Sequence, residues 1–195
     1  MAVREAIQIG HPALKTANQE IVDFSAPELT QLIVDLRDTM RATGLIGIAA
    51  PQIGENFRVF VTEPRETDAR PADQADEFRV YINPKIVFRS KEEVVIWEGC
   101  GSVLNAKLFG PVKRPKMIEV EARDEKGDKF RFKADGILGR VIQHEQDHLD
   151  SSEFTEHVLD YSQLKAVEFY IKDEKNKPEH LEAQKITIKE FRKIG

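Results

Sequence analysis

Residues 143–150, QHEQDHLD, place His144, Glu145 and His148 within five positions of a chain that has five histidines in all. Residues four apart lie on one face of an α-helix, one turn from each other. Two imidazoles at that spacing can bind one divalent ion, and the glutamate between them can act on a water at that ion. The other interpretation is a solvated, charged helix whose histidines pair with nearby carboxylates.

The residues that precede the histidines favour burial of this helix. Segment 135–150 can begin with Asp135 as its N-cap, and its apolar residues repeat at helical spacing. One predicted face carries Ile137, Val141, His144 and His148, and the adjacent face carries Leu138, Ile142, Glu145 and Leu149. A solvated helix is not normally apolar on the face that carries its histidines, so the pattern favours a metal site.

A catalytic metal site of this kind needs a third protein ligand. Ser151 and Phe154 stand where the metzincin pattern requires glycine and histidine, which excludes that subclass. Glu168 on a later helix is one possible source. Cys100 in EGCGS is another, because it follows a predicted strand and lies between glycines, where backbone can approach an ion closely.

Composition excludes several classes of protein. The chain has 195 residues, is 41% hydrophobic and carries a net charge of -5, so we expect one domain over 1–195 and no nucleic-acid specificity. The basic stretch KRPK at 113–116 is interpreted as a strand edge or solvated loop. We find neither a signal peptide nor a membrane span, and the single cysteine excludes an internal disulfide. We therefore expect a cytoplasmic protein without membrane contact.

The remaining segments predict an α+β fold with mostly antiparallel strands. A helix is expected over 25–44, with a capping box of Ser25 and Glu28 and with Gly44 at its end. Strands are expected at 57–63, 78–90 and 92–99, with a hairpin over 116–134 and a surface loop over 64–77. A last helix over 161–177 is expected to end in a charged tail. The apolar face of the first helix comprises Leu29, Leu32, Ile33, Leu36 and Met40.

Three separated stretches together resemble the peptide deformylase family. GIAAPQ at 47–52 is similar to the family's Gly-x-Ala-Ala-x-Gln turn, EGCGS at 98–102 to its Glu-Gly-Cys-x-Ser, and QHEQDHL at 143–149 to its Gln-His-Glu-x-Asp-His-Leu. The resemblance extends over roughly residues 5–160. It implies antiparallel sheets around a central helix that carries the HExxH motif.

The resemblance also implies roles for individual residues. Cys100, His144 and His148 would bind one divalent ion, natively Fe(II), with zinc, nickel or cobalt able to replace it. Glu145 would be the general base and acid in the hydrolysis of an N-terminal formyl amide. The side-chain amide of Gln52 and the backbone N–H of Gly101 would stabilise the developing oxyanion.

The implied substrates are N-formylmethionyl nascent peptides, met close to the ribosomal exit tunnel by a monomeric enzyme. Their first side chain requires an apolar pocket. By match to the family, that pocket is lined by Ile46, Gly47, Ile96, Ile137 and Val141, each of which could instead be ordinary core.

Some positions depart from the family pattern. Leu45 stands where glycine is usual, Gly101 where leucine is usual, and Ser151 where glycine is common. Segment 103–115 replaces a shorter loop, and Lys107 is the candidate for an arginine that usually contacts the peptide. These changes bear on substrate affinity and rate more than on metal binding. Two alternatives stay open: another HExxH amidase that uses Glu168 as a ligand, and a paralogue that binds metal or the ribosome without catalysis.

Overall fold

The computed structural model describes residues 3–67 and 70–195, and within them the chain forms four α-helices and nine strands. The helices are α1 (Pro27–Ala42), α2 (Gly136–Leu149), α3 (Val167–Asp173) and α4 (Pro178–Gln184). The strands are β1 (Gly47–Ala49), β2 (Val59–Thr62), β3 (Arg79–Arg89), β4 (Glu93–Gly99), β5 (Leu108–Pro115), β6 (Met117–Arg123), β7 (Lys129–Asp135), β8 (Lys165–Ala166) and β9 (Lys189–Lys193).

The strands form two antiparallel sheets. The larger sheet has the order β1-β2-β3-β6-β7-β9 and the smaller has the order β4-β5-β8. The predicted hairpin over 116–134 is confirmed as β6 and β7, joined by a turn in which Gly127 has φ 84°. That backbone conformation suits glycine, which has no Cβ to collide with the carbonyl. The predicted α+β class is confirmed.

Helix α2 is the centre of the molecule. Thirteen of its fourteen residues are buried, and the exception is Asp147. One side packs on the larger sheet, where Leu138 and Ile142 contact the Phe60, Tyr81 and Phe132 region of the core. On the other side, Arg140 donates to the carbonyls of Val94 in β4 and Val112 in β5, at 2.8 Å each. The helix therefore lies between the two sheets, as the resemblance implies.

Helix α1 begins differently from the prediction. It starts at Pro27, its N-cap is Ala26, and no side chain caps it. The Ser25 hydroxyl donates to Asp23 at 2.6 Å instead, so the predicted capping box of Ser25 and Glu28 is wrong. Proline suits the first helical position because its missing N–H would be unsatisfied there anyway.

The apolar face of α1 packs as predicted. Leu29, Leu32, Leu36 and Met40 are buried against β1 and β2, and Ile33 is partly buried beside them. Helix α1 ends at Ala42, and Gly44 follows with φ 72°, which agrees with the predicted stop. This second core cluster supports the strand that leads into the GIAAPQ turn.

The prediction of one helix over 161–177 is wrong. Segment 161–177 holds a short 3-10 turn, strand β8 and helix α3 rather than one helix. Helix α4 follows, and β9 pairs with β7 along the edge of the larger sheet where a frayed tail was expected. Asp135 is the N-cap of α2, but its carboxylate accepts bonds from Thr187 and Ile188 and does not cap the helix.

Two surface assignments also need correction. The basic stretch at 113–116 lies in and beside β5, and Arg114 is buried rather than solvated. The predicted loop over 64–77 includes residues 68 and 69, which lie outside the described residues, and its described part buries Gln74 and Asp76. No helix in the described part of the chain is long and apolar enough to cross a bilayer.

Candidate metal centre

Helix α2 and the end of β4 bring three potential ligands together. Ligand atoms of Cys100, His144 and His148 all lie within 4.8 Å of one another, and all three residues are buried. Cys100 Sγ is 3.2 Å from His148 Nε2. The two imidazole rings stand edge to face, with centroids 5.1 Å apart. One thiol and two imidazoles at this separation are a donor set suited to a single transition-metal ion.

A buried carboxylate orients one of the imidazoles. Glu98 Oε2 is 2.9 Å from His144 Nδ1, which leaves the other ring nitrogen of His144 for the cluster. Arg114 and Arg140 both donate to Glu98, at 2.7–3.0 Å. Such a carboxylate fixes the tautomer and orientation of a metal-ligating histidine.

The charges around the site perturb its titrating groups. Burial alone would raise the pKa of Glu98, but the charges of Arg114 and Arg140 and the bonds from His144 and Arg114 hold it well below its ordinary value. Burial lowers the pKa of His148 far below its usual range, so this imidazole is neutral and able to bind a metal. Burial opposes charge on His144, yet its contacts with Cys100 and Glu98 raise the pKa of His144 well above its ordinary value.

Glu145 lies beside the cluster without joining it. Burial raises the pKa of Glu145 to about 7, with the charge of His144 lowering it and Asp147 and Glu98 raising it. In the described part of the chain Glu145 Oε2 has no hydrogen-bond partner. A Cβ on Gly47 would lie 2.6 Å from Glu145 Oε1 and 2.5 Å from Val141, so glycine at this position is what lets α2 and its glutamate approach β1.

Gln52 is buried next to Cys100. Its Oε1 accepts from the Ala49 N–H at 2.8 Å, which turns Nε2 toward Cys100 Sγ at 3.4 Å and Ser102 Oγ at 3.3 Å. The amide therefore presents a donor at the cluster.

Gly101 lines the same space, and its carbonyl accepts from Gln8 Nε2 at 3.0 Å. Within the described residues no acceptor pairs with the Gly101 N–H. A Cβ on Gly101 would lie 2.7 Å from Leu45 Cδ1, so the Leu45 side chain occupies the space over this glycine.

A cavity of about 480 Å³ opens from the cluster. Four of the predicted pocket residues, Ile46, Gly47, Ile137 and Val141, line it. Ile96 is fully buried next to two lining residues, Trp97 and Glu98, and its pocket role stays a prediction. A larger groove of about 630 Å³ lies elsewhere and has none of the cluster residues in its walls.

Two sequence-based alternatives find no support in the geometry. Glu168 is exposed on α3 and does not belong to the Cys100, His144 and His148 group. Lys107, the candidate for a peptide-contacting cation, is exposed and does not line the cavity. The cations that do line the cavity are Arg65, Arg70, Arg140 and Lys175.

Sequence reasoning missed the residues that support the cluster. Glu98 was visible as the first residue of EGCGS, but nothing local indicates that it bonds a histidine 46 positions later. Arg114 was assigned to a strand edge or solvated loop, and Arg140 to a helix, in both cases without a role. Tyr170, Lys175 and Gln184 come from the misassigned C-terminal segment and also line the cavity.

Comparison with known proteins gives one consistent family. The sequence model described as Polypeptide deformylase matches residues 3–163. The chain is 39% identical over 175 residues to a peptide deformylase of Roseiflexus sp. (strain RS-1), covering 85% of this chain and 94% of that protein.

Solved structures agree. A class I type b peptide deformylase from Acinetobacter baumannii, with Met-Ala-Ser bound, aligns with a TM-score of 0.74 and 30% identity over 80% of this chain and 99% of that one. A peptide deformylase from Thermotoga maritima aligns with a TM-score of 0.72 and 26% identity over 82% of this chain and 100% of that one. These matches support a formyl hydrolase over the two alternatives left open by the sequence.

Proposed function

The chain belongs to the polypeptide deformylase family, and we propose that Cys100, His144 and His148 hold the divalent ion with which it works. The reaction is hydrolysis of the N-terminal formyl amide of formylmethionyl peptides, which yields formate and a free amine. The observation that carries the ligand assignment is the buried group of one thiol and two imidazoles within 4.8 Å at the base of a cavity.

The residues present fit such an ion. Neutral His148, a His144 oriented by Glu98 and the single cysteine would supply three soft and borderline ligands to the ion. When bound, the ion supplies Lewis-acid chemistry and lowers the pKa of a water. We propose Fe(II) as the native ion, with zinc, nickel or cobalt able to occupy the same ligands.

Glu145 is proposed as the general base and acid. Its burial and its pKa of about 7 keep it able both to accept and to release a proton near neutral pH. It takes a proton from the attacking water and delivers it to the amine nitrogen as the C–N bond breaks.

Gln52 and Gly101 are proposed as oxyanion donors. Because the Ala49 N–H holds Gln52 Oε1, the Nε2 group is already aimed at the cluster before substrate arrives. Gly101 lines the same cavity, and its N–H has no acceptor within the described chain. Donors fixed in advance stabilise the negative charge that develops on the formyl oxygen without reorganising during the reaction.

The first side chain of the peptide is proposed to lie among Ile46, Ile137 and Val141. These apolar residues line the cavity next to Glu145, and a methionine side chain buried there leaves water at a gain of about 25 cal/mol per Å². The structure of the Acinetobacter relative was solved with Met-Ala-Ser bound, which supports a methionyl peptide as the ligand of this chain.

The test is formate release from formyl-Met-Ala-Ser by protein loaded with Fe(II) or Ni(II). We expect turnover with either ion. Release of the free methionyl amine should be absent with acetyl-Met-Ala-Ser, which differs only at the reacting group and would yield acetate. Formate release no faster than that of the metal-loaded Glu145→Gln variant would contradict the proposal.

We further propose that the protein acts as a monomer in the cytoplasm, close to the ribosome, because nascent formylmethionyl chains emerge there. Sedimentation of the pure protein and co-sedimentation with ribosomes test this. A stable dimer, or no ribosome association at low ionic strength, would contradict the respective part.

A further inference from the structure

The C-terminal segment adds a wall to the substrate cavity. The family match ends at residue 163, yet Tyr170, Lys175 and Gln184 line the cavity that opens from the metal cluster. This part of the site is therefore built by residues outside the matched region.

The added wall is anchored at several points. The Asp135 carboxylate accepts from the backbone N–H groups of Thr187 and Ile188 at 2.7 and 2.8 Å, and the Ile186 N–H donates to the Asp73 carbonyl at 2.8 Å. The ring of Tyr170 stacks on Phe109 of β5, with centroids 4.2 Å apart and planes 4° from parallel. These contacts fix the wall in position relative to α2 and β5.

A buried hydrogen-bond network holds Tyr170 from behind. Its hydroxyl is 3.1 Å from His180 Nε2, and Gln184 Nε2 contacts the same nitrogen. Burial lowers the pKa of His180 to about 4, so this imidazole is neutral near pH 7. The positive charge in this wall therefore comes from Lys175.

Four cations line the cavity, and two of them already have partners. Arg140 is bonded to Glu98. Arg65 is paired with Glu63 and donates to the Leu45 carbonyl.

Arg70 and Lys175, the other two cations of the cavity, have no acidic partner in the described part of the chain. Arg70 and Lys175 are both half-buried, and neither forms an ion pair with a described carboxylate. Burial and the positive charge of Arg65 lower the pKa of Arg70, so its charge is held in an unfavourable environment. An anion placed here would relieve that cost and form charge-assisted hydrogen bonds.

We propose that Arg70 and Lys175 form a subsite for a carboxylate of the substrate, beyond its formyl-methionine. The inference rests on the proposed function, because the peptide must run from the metal cluster along this cavity. An extended peptide advances about 3.3 Å per residue, so the second and third residues lie further along the walls. The carboxylate is either an acidic side chain at those positions or the C-terminus of a short peptide.

The experiment compares four peptides on the metal-loaded enzyme. Formyl-Met-Ala-Ser amide is the neutral reference, and the others are the same peptide with a free C-terminus, formyl-Met-Asp-Ser amide and formyl-Met-Ala-Asp amide. We expect at least one anionic peptide to have a kcat/KM about three- to tenfold above the reference, and the ratio to shrink at high salt. The free-acid arm and the aspartate arms distinguish the two sources of the carboxylate.

Variants assign the preference to residues. Lys175→Ala and Arg70→Ala should bring the ratio of anionic to neutral kcat/KM close to one. Lys172→Ala removes an exposed lysine of α3, three residues before Lys175, that does not line the cavity, and it should keep the wild-type ratio.

Two results would overturn the subsite: a wild-type ratio near one for all three anionic peptides, or a preference that survives both substitutions. Absence of turnover for every peptide, the neutral amide included, contradicts the proposed function instead. Calorimetric binding of Met-Ala-Ser with a free C-terminus, Met-Asp-Ser amide and Met-Ala-Asp amide, each compared with neutral Met-Ala-Ser amide, then tests the subsite by itself, and equal affinities for all four would overturn it.

Discussion

Glu145 is a residue whose proposed role is separable from metal binding. It lies next to His144 on α2, is buried, and is not one of the three clustered ligands. Glu145→Gln should therefore keep its metal and lose about 10²–10⁴-fold in kcat, because the amide cannot accept the proton. Elemental analysis and formate release measure the two effects. Turnover near the wild-type rate in fully loaded protein would contradict the role.

Leu45 and Gly101 lie against each other at the edge of the cavity. The space that a side chain at 101 would enter is filled by Leu45, whose Cδ1 lies 2.7 Å from the Cβ position. Arg65 donates to the Leu45 carbonyl at 2.9 Å, which holds the backbone from which this side chain extends. The family pattern has glycine at 45 and leucine at 101, and this chain has the reverse. One bulky side chain therefore fills the space between these two positions in either arrangement.

This exchange predicts strong coupling in a double-mutant cycle. Gly101→Leu alone should lower kcat/KM by displacing the proposed oxyanion donor, and adding Leu45→Gly should restore much of the loss, with a coupling of about 0.5–3 kcal/mol. Leu104→Gly, which shortens a nearby exposed leucine, should give no rescue. Additive effects of Leu45→Gly and Gly101→Leu would contradict the exchange.

Among the elements, β9 makes the least expected contribution. It pairs with β7 along five residues, and Phe191 packs near Phe130 with ring centroids 5.1 Å apart. The Asp135 carboxylate, also bonded to the Thr187 hydroxyl, ties the start of this strand to the N-terminus of α2. The strand thus connects the outer edge of the sheet with the helix that carries the site.

We predict that Asp135→Ala destabilises the protein more than loss of the exposed ion pair between Asp128 and Lys193 does. It removes a buried acceptor of several bonds and should lower the free energy of unfolding by about 1.5–3 kcal/mol. Asp128→Ala removes an exposed pair with Lys193 at the other end of β9 and should lower the stability much less, because solvent screens exposed ion pairs. Denaturant unfolding measures both. Equal losses would show that Asp135 does not anchor the strand.

Sequence patterns predicted these elements unevenly. The periodicity of α2 and the alternation in β6 and β7 are local, and both predictions hold. The segment that became β9, KEFRK, has one apolar residue and stays a strand only because β7 lies beside it. The start of α1 was misplaced because Pro27 competes with Ser25 for the helix N-terminus. Arg114 appeared solvated because its partners Glu98 and Asp147 are far away in sequence.

Cys100 is the only cysteine of the chain and a proposed ligand, so the identity of the bound ion should determine how the protein responds to oxygen. We predict that the Fe(II) form loses deformylase activity in air while the Ni(II) form persists, because iron held by a thiolate is open to oxidation. Catalase or a thiol reductant should slow the loss. Activity followed over hours, with mass analysis of Cys100, measures this. Equal lifetimes with unmodified Cys100 would favour zinc as the working ion.

The site as a whole was more predictable than its surroundings. His144 and His148 follow from helical spacing, whereas Cys100 required either the family resemblance or the fold, since 44 positions separate it from His144. The walls that Tyr170, Lys175 and Gln184 contribute depend on how the C-terminal segment folds back. No local pattern carries that information.

The ligand set is tested most directly by the metal content of purified variants. We predict one ion per chain in the wild type and in Glu168→Ala, and loss of the ion in Cys100→Ala, His144→Ala and His148→Ala that are folded by circular dichroism. In cobalt-substituted protein, a thiolate-to-cobalt charge-transfer band should be present in the wild type. Full metal occupancy in folded Cys100→Ala, or loss of metal in Glu168→Ala, would contradict a Cys100, His144 and His148 centre.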